Sequence, residues 1–317
     1  MIELPCIETV QQARERLGRD VHKTPVLRSR TLNKLVGAEL FFKCENLQRT
    51  GSFKIRGALN AARAFVEAVN GDTTNADTAL EPLVTHSSGN HGAALALAGK
   101  EVGREVIVVV PETAPEAKKA NILRYGAKVV LCGPTIRDRE QALDEVIRGG
   151  GHVVSPYNDV RVIGGQGTLA LEFEEQVPEL DELWVPVGGG GMASGSVLAV
   201  GNRIRVNGVE PELADDAWES LTSGVLVGPR PPVTIADGLR GALGDITFAV
   251  LQNYDLAVHR VSEARILEAQ HLLMSCLKVV VEPSGAVPFA ALLEEKTTPG
   301  KRLGLVISGG NLDLHPG

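Results

Sequence analysis

Apolar residues recur at helical spacing over residues 7–17, and the stretches at 29–35 and 58–69 also read as helices. From residue 83 onward the pattern changes. Short apolar runs at 83–85, 106–110, 128–131 and 183–187 alternate with helix-like stretches at 115–125, 137–148 and 169–176, and an Ala/Leu-rich helix leads to Lys100. Two more strands are expected to end at 208–210 and 303–307. Strands and helices alternating in this way predict an α/β fold on open parallel sheets, with ligands beyond the carboxyl ends of the strands. A polar, turn-rich stretch at 70–77 and the glycine run Gly149-Gly150-Gly151 mark two crossovers. The expected division is a large, discontinuous domain of residues 1–72 and 158–317, and a small mobile domain of residues 80–150, with a cleft between them.

Composition narrows the class. The chain has 317 residues, 44% of them hydrophobic, which exceeds the size at which one core usually stops growing. A net charge of −7 with no basic cluster argues against nucleic acid or an anionic membrane surface as partner. Cys6, Cys44, Cys132 and Cys276 are widely spaced and read as reduced thiols. With no leader-like start and no apolar run of membrane-spanning length, the expected location is the cytoplasm and the expected ligand a small molecule.

Four polar stretches carry candidate chemistry. Gly51-Ser52-Phe53-Lys54 precedes a helix, a place where backbone N–H groups hold anions. Lys54 there is either a solvated surface lysine or an amine confined for attack on a carbonyl. Gly188-Gly189-Gly190-Gly191 joins a buried strand to a small-residue helix, a shape suited to wrapping a phosphate or to close packing alone. The turn lacks the Lys-Ser/Thr of a nucleoside-triphosphate loop and the spacing of the dinucleotide fingerprint. Ser87-Ser88-Gly89-Asn90-His91 is a helix cap or a carboxylate site, and Ser308-Gly309-Gly310-Asn311 repeats the theme at another strand end. Three polar turns and one lysine at strand ends converge on a single cleft.

As a set, these stretches resemble the tryptophan-synthase-like, fold-type II family of pyridoxal-phosphate enzymes, in its serine racemase and serine/threonine dehydratase branch. Gly165-Gln166-Gly167-Thr168, Ala236-Asp237-Gly238 and Glu282-Pro283 belong to the same likeness. The resemblance implies that Lys54 carries the cofactor covalently with Phe53 beside its ring, and that Asn90 bonds the ring oxygen. It also implies that Gly188, Gly189, Gly190, Gly191 and Met192 hold the phosphate, and that Glu282 and Ser308 line the cofactor, Ser308 facing the pyridine nitrogen. A serine in that place leaves the ring a weaker electron sink than an aspartate would, which favours loss of a β-hydroxyl.

Substrate contacts implied by the likeness are Ser87, Ser88, Asn90, His91 and Arg139, with Lys54 and Ser88 as the catalytic acid/base pair. His91 is also open to a structural reading. Glu210, the carbonyl of Ala214 and Asp216 match a Mg²⁺ site, equally suited to Ca²⁺ or Mn²⁺, where composition alone reads a solvated acidic loop. Lys118 and Lys119 resemble part of a nucleotide-binding edge but read as a solvated helix face. A homodimer follows from the resemblance. The expected activity is racemisation and dehydration of small β-hydroxy amino acids. The competing readings are a threonine or threo-3-hydroxyaspartate ammonia-lyase, and a non-catalytic phosphate- or amino-acid-binding module.

Overall fold

The computed structural model describes residues 4–71, 81–87, 89–228, 230–231, 233–294 and 300–312. Ser88 and residues 72–77 of the expected crossover lie outside them.

Two open sheets organise the chain, as the alternating pattern predicts. The small sheet has the order β5-β4-β3-β6, from β3 (Leu83–Thr85), β4 (Val106–Pro111), β5 (Lys128–Cys132) and β6 (His152–Val153), all parallel. Its last strand falls beyond residue 150, where the small domain was expected to end, and is only two residues long. The large sheet has the order β1-β2-β10-β7-β8-β9, from β1 (Val26–Leu27), β2 (Glu39–Cys44), β7 (Glu182–Pro186), β8 (Arg205–Pro211), β9 (Ala257–Val261) and β10 (Arg302–Ile307). All its pairings are parallel except β1 against β2.

Insertion of β10 between β2 and β7 decides where the polar turns meet. Ile307 lies beside Cys44, and Leu305 beside Trp184. The turn after β10 therefore emerges between the lysine loop that follows β2 and the glycine turn that follows β7. The Phe53 N–H donates to the Ser308 carbonyl at 3.1 Å, Gly310 N–H donates to the Gly51 carbonyl at 2.9 Å, and Ser52 bridges Gly309.

Helices cover both sheets. α1 (Ile7–Leu17), α7 (Val160–Gln176), α8 (Gly191–Val200) and α10 (Asp245–Asn253) pack with one core cluster of the large sheet. α2 (Arg30–Val36), α11 (Glu263–Leu277) and α12 (Pro283–Glu294) form the other. Every residue of α8 is buried, so it shows no amphipathic period. The small sheet carries α4 (Asn90–Glu101), α5 (Glu116–Arg124) and α6 (Ile136–Arg148), and α9 (Asp216–Ser223) follows β8. α3 (Lys54–Gly71) starts at the large sheet yet buries Ile55, Ala58, Leu59 and Ala62 in one cluster with Leu83, Leu95 and Val108 of the small one. The helix that begins with the lysine thus touches both halves of the molecule.

Candidate active site

Lys54 is the first residue of α3. The chain reaches it through a tight turn at Gly51, whose φ of +73° favours glycine and whose missing side chain makes room for the amide of Asn311. The Lys54 Nζ lies 5.0 Å from the centre of the Phe53 ring and donates to the Pro156 carbonyl at 2.8 Å. Burial pushes its pKa down to about 8, against the opposing pull of the Glu282 charge. An amine in this condition is free base far more often than a surface lysine. The confined reading of Lys54 is the one the geometry supports.

Two residues further along, Arg56 points into the core and fixes the helix start from behind. Its guanidinium makes two 2.8 Å hydrogen bonds to Glu45 and two at 3.2 Å to Glu172 Oε2. Lys43, fully buried in β2, pairs with Glu172 and donates to the Thr24 carbonyl at 2.9 Å. Two buried cations and two carboxylates thus compensate one another beneath the site.

The glycine turn has the form of an anion cradle. None of the N–H groups from Gly188 to Met192 has a protein acceptor among the described residues, and α8 begins at Gly191, so its positive dipole end faces the same space. Gly190 has φ +83° and caps the helix. A Cβ at Gly189 would overlap the ring of Tyr157, and one at Gly188 would come within 2.9 Å of Leu239 Cα. Thr247 Oγ1 donates to the Gly189 carbonyl at 3.0 Å and holds the turn from outside. The Met192 side chain is buried in the core, which leaves its backbone N–H as its contribution.

Across the cleft, Asn90 opens α4. Its Nδ2 donates to Glu282 Oε1 at 2.9 Å and its Oδ1 accepts from Asn311 Nδ2 at 2.8 Å, while the Asn311 N–H donates to Glu282 Oε2 at 3.1 Å. Glu282 immediately precedes α12 and is buried. Burial, reinforced by the negative charge of Asp237, pushes its pKa up to about 7. Ser308 is buried at the end of β10, and Ser87 is half-buried at the exit of β3. Gly92 lets the Ser87 carbonyl approach α4 closely. Ser88, the expected second acid/base, lies outside the described residues.

His91 is 1% exposed, and one ring nitrogen lies 3.2 Å from the Val154 carbonyl. Burial, with the Lys54 charge adding, pushes its pKa down to about 3. Its ring is neutral, and its Nδ1 is buried without a hydrogen-bond partner among the described residues. Arg139 on α6 lies near His86, whose pKa is lowered by burial and then by the Arg139 charge. The Arg139 Nε is enclosed and has no acceptor among the described residues. Lys118 pairs with Asp237 of the large half, and Lys119 with Glu116 at 2.6 Å.

The expected metal ligands sit together at the exit of β8. Glu210 is 1% exposed, and its carboxylate accepts the backbone N–H groups of Ala217 and Trp218 at the start of α9. Ala214 ends the turn 212–214, and Asp216 is buried beside it. Burial, opposed by those N–H groups and aided by the Asp216 charge, pushes Glu210 up to about 9. Glu210 makes no ion pair among the described residues, and no cluster of three or more His, Cys, Asp or Glu side chains suited to a metal occurs among them. Two crowded carboxylates without a cationic side chain on Glu210 are compatible with a hard cation, with the Ala214 carbonyl as third oxygen. The capping of α9 by Glu210 was not read from the sequence.

Pro156, Tyr157 and Thr247 also escaped the sequence reading. Pro156-Tyr157-Asn158-Asp159 carries a turn signal, but a carbonyl as partner of Lys54 leaves no mark in residue type.

The chain matches the family model described as pyridoxal-phosphate dependent enzyme over residues 18–309. It belongs to that family, an assignment that agrees with the half-buried lysine and the glycine cradle. Within the family it is 42% identical to the beta-hydroxyaspartate dehydratase of Paracoccus denitrificans (strain Pd 1222) over 98% of each chain. It is 43% identical to the serine racemase of Arabidopsis thaliana, covering 97% of this chain and 93% of that one. The structure of maize serine racemase superposes with a TM-score of 0.92 at 38% identity, over 98% of this chain and 95% of that one. The two-sheet architecture is that of fold-type II enzymes. No helix among the described residues is long and apolar enough to cross a membrane.

Proposed function

We propose that this chain is a racemase and dehydratase of small β-hydroxy amino acids, serine first among them, working with pyridoxal phosphate. The observation that carries the reading is the desolvated Lys54 amine held within reach of both Phe53 and Pro156, in the cleft that the glycine turn also lines. The residues fit the cofactor: five acceptor-free N–H groups suit a phosphate, and the lysine suits an aldehyde. When bound, pyridoxal phosphate supplies an electron sink for charge that develops at the substrate Cα.

The protein's own groups do the rest. Lys54 Nζ, its pKa lowered by burial to about 8, would accept or return a proton on one face of Cα. Ser88 is assigned the proton on the opposite face by the family likeness, so that inversion would need both Lys54 and Ser88. Asn90 and Ser308 would hold the cofactor ring, with Asn90 bonding its oxygen and Ser308 its nitrogen, and Glu282 tunes Asn90 by the bond it accepts. Ser87 and Arg139 hold the substrate carboxylate. Residues 1–72 and 158–317 form the large body, and the small one, which closes over substrate, runs from residue 80 past the expected limit of 150 to take in β6. Glu210, Ala214 and Asp216 hold Mg²⁺, Ca²⁺ or Mn²⁺ in a structural capacity. The protein acts as a cytoplasmic homodimer.

A second reading, a hydroxyaspartate ammonia-lyase, is favoured by the 42% identity to the beta-hydroxyaspartate dehydratase over 98% of each chain. Holoenzyme incubated with L-serine, L-threonine and threo-3-hydroxyaspartate, followed by chiral chromatography and 2-oxo acid assay, separates the two. D-serine together with pyruvate is expected. Turnover of hydroxyaspartate alone, without D-serine, would replace the first reading by the second. No turnover and no colour would leave a binding module.

A further inference from the structure

Lys54 and the glycine turn come from different strands of the large sheet, yet both meet one short segment, Ser155–Asn158, which leaves the small sheet after β6. Its Pro156 carbonyl receives the Lys54 amine at 2.8 Å. The next residue, Tyr157, presses its ring against the turn, where a Cβ on Gly189 would overlap it. A Cβ on Gly191 would come within 3.0 Å of Tyr157 Cα. The following Asn158 fastens the segment to the start of α10, donating to Asp245 at 2.7 Å and accepting the Ile246 N–H at 3.0 Å. Thr247 of that helix holds the Gly189 carbonyl.

We infer that Tyr157 is a positioning residue: its ring is the rigid wall that fixes the glycine turn relative to the Lys54 amine. The ring, rather than the hydroxyl, does this work. The overlap at Gly189 involves ring carbons Cγ, Cδ1 and Cδ2, and the Tyr157 hydroxyl makes no hydrogen bond among the described residues. A cofactor attached at the amine and held by its phosphate at the turn senses any change in that separation. A displacement of about 1 Å at such a distance can lower a rate a hundredfold.

The inference rests on the reading of the cleft as a cofactor site, and its test separates the two. Apoenzyme is titrated with pyridoxal phosphate by absorbance, and its thermal midpoint is recorded before addition. Tyr157→Leu is expected to weaken the dissociation constant roughly tenfold or more and to lower kcat more than it changes KM. Tyr157→Phe, which keeps the ring, is expected to restore most of the affinity lost in the leucine variant. Gly189→Ala, whose new methyl meets the ring, should bind cofactor poorly. Combining it with Tyr157→Ala, which removes Cγ and both Cδ carbons, should recover part of that loss, a non-additivity that a general folding defect does not produce.

Leucine and phenylalanine variants equally impaired would overturn the ring argument. Additive losses in the double variant, or a leucine variant with unchanged affinity and kcat, would overturn the positioning role altogether. Wild-type protein that takes up no pyridoxal phosphate would refute the cofactor reading instead. If Tyr157→Leu does not fold, Tyr157→Met in the same titration decides the question.

Discussion

Asn90 donates to Glu282 across the cleft at 2.9 Å, so the first residue of α4 beside the small sheet is bonded to the residue that leads into α12 beside the large one. Asn311 closes the triangle through both partners. The expected cofactor-binding asparagine therefore does not stand alone: its amide is oriented by a buried carboxyl whose protonation changes near pH 7.

That carboxyl gives a pH dependence with a definite sign. Glu282 ionises near 4.5 in an unfolded chain and near 7 in the folded one. Between those values the native state holds a proton that the unfolded state has released, so stability falls as pH rises and the loss is complete above about 7. The full effect is on the order of 3 kcal/mol. Urea unfolding of apo Glu282→Gln, relative to wild type, is expected to gain about that amount between pH 4.5 and 8. A difference that stays flat across the window would contradict it.

Lys54 offers a second titration. With its pKa near 8 against an ordinary 10.5, the amine of the apoenzyme should acylate with a midpoint about two units below that of a free lysine side chain. Competitive acetylation against a lysine model peptide, followed by mass spectrometry, reads both amines in one sample. An ordinary midpoint at Lys54 would show that the amine is solvated.

The buried charges behind the lysine predict a large stability effect. Arg56→Met strands Glu45, which is fully buried, and should cost about 3–5 kcal/mol in urea unfolding. Replacing both, Arg56→Met with Glu45→Leu, removes the stranded charge and should recover much of that loss. A small effect from the single substitution would mean that the network carries little stability.

The carboxylates at β8 predict metal-linked stability. Dialysis against chelator should lower the thermal midpoint of wild-type protein, and millimolar Mg²⁺ should restore it. Glu210→Gln should lose the Mg²⁺ response. An equal response in the variant would place the cation elsewhere.

Much of this was legible in the chain before its structure. The small sheet follows from the alternation of apolar runs and helical stretches, and the glycine turn from four glycines after an apolar strand. The antiparallel β1 and the short β6 were missed because two residues cannot show a period, and α12 because nearly all its positions are buried. Lys43 and Arg56 are charged residues in the core, where composition predicts exposure; only the position of Glu45 and Glu172 in space makes their burial tolerable. Glu210 was read as a metal ligand, and its capping of α9 depends on the fold that brings that helix to it. The partner of Lys54 is a carbonyl, and any residue at position 156 would have supplied one.

Lys54 is the residue expected to bear the cofactor. Borohydride reduction of the purified holoenzyme, followed by peptide mass mapping, tests it in one step. The account predicts a single pyridoxyl-modified peptide with the label on Lys54, absent from Lys54→Ala. A label on any other lysine, or none in a protein that turns over serine, would contradict it.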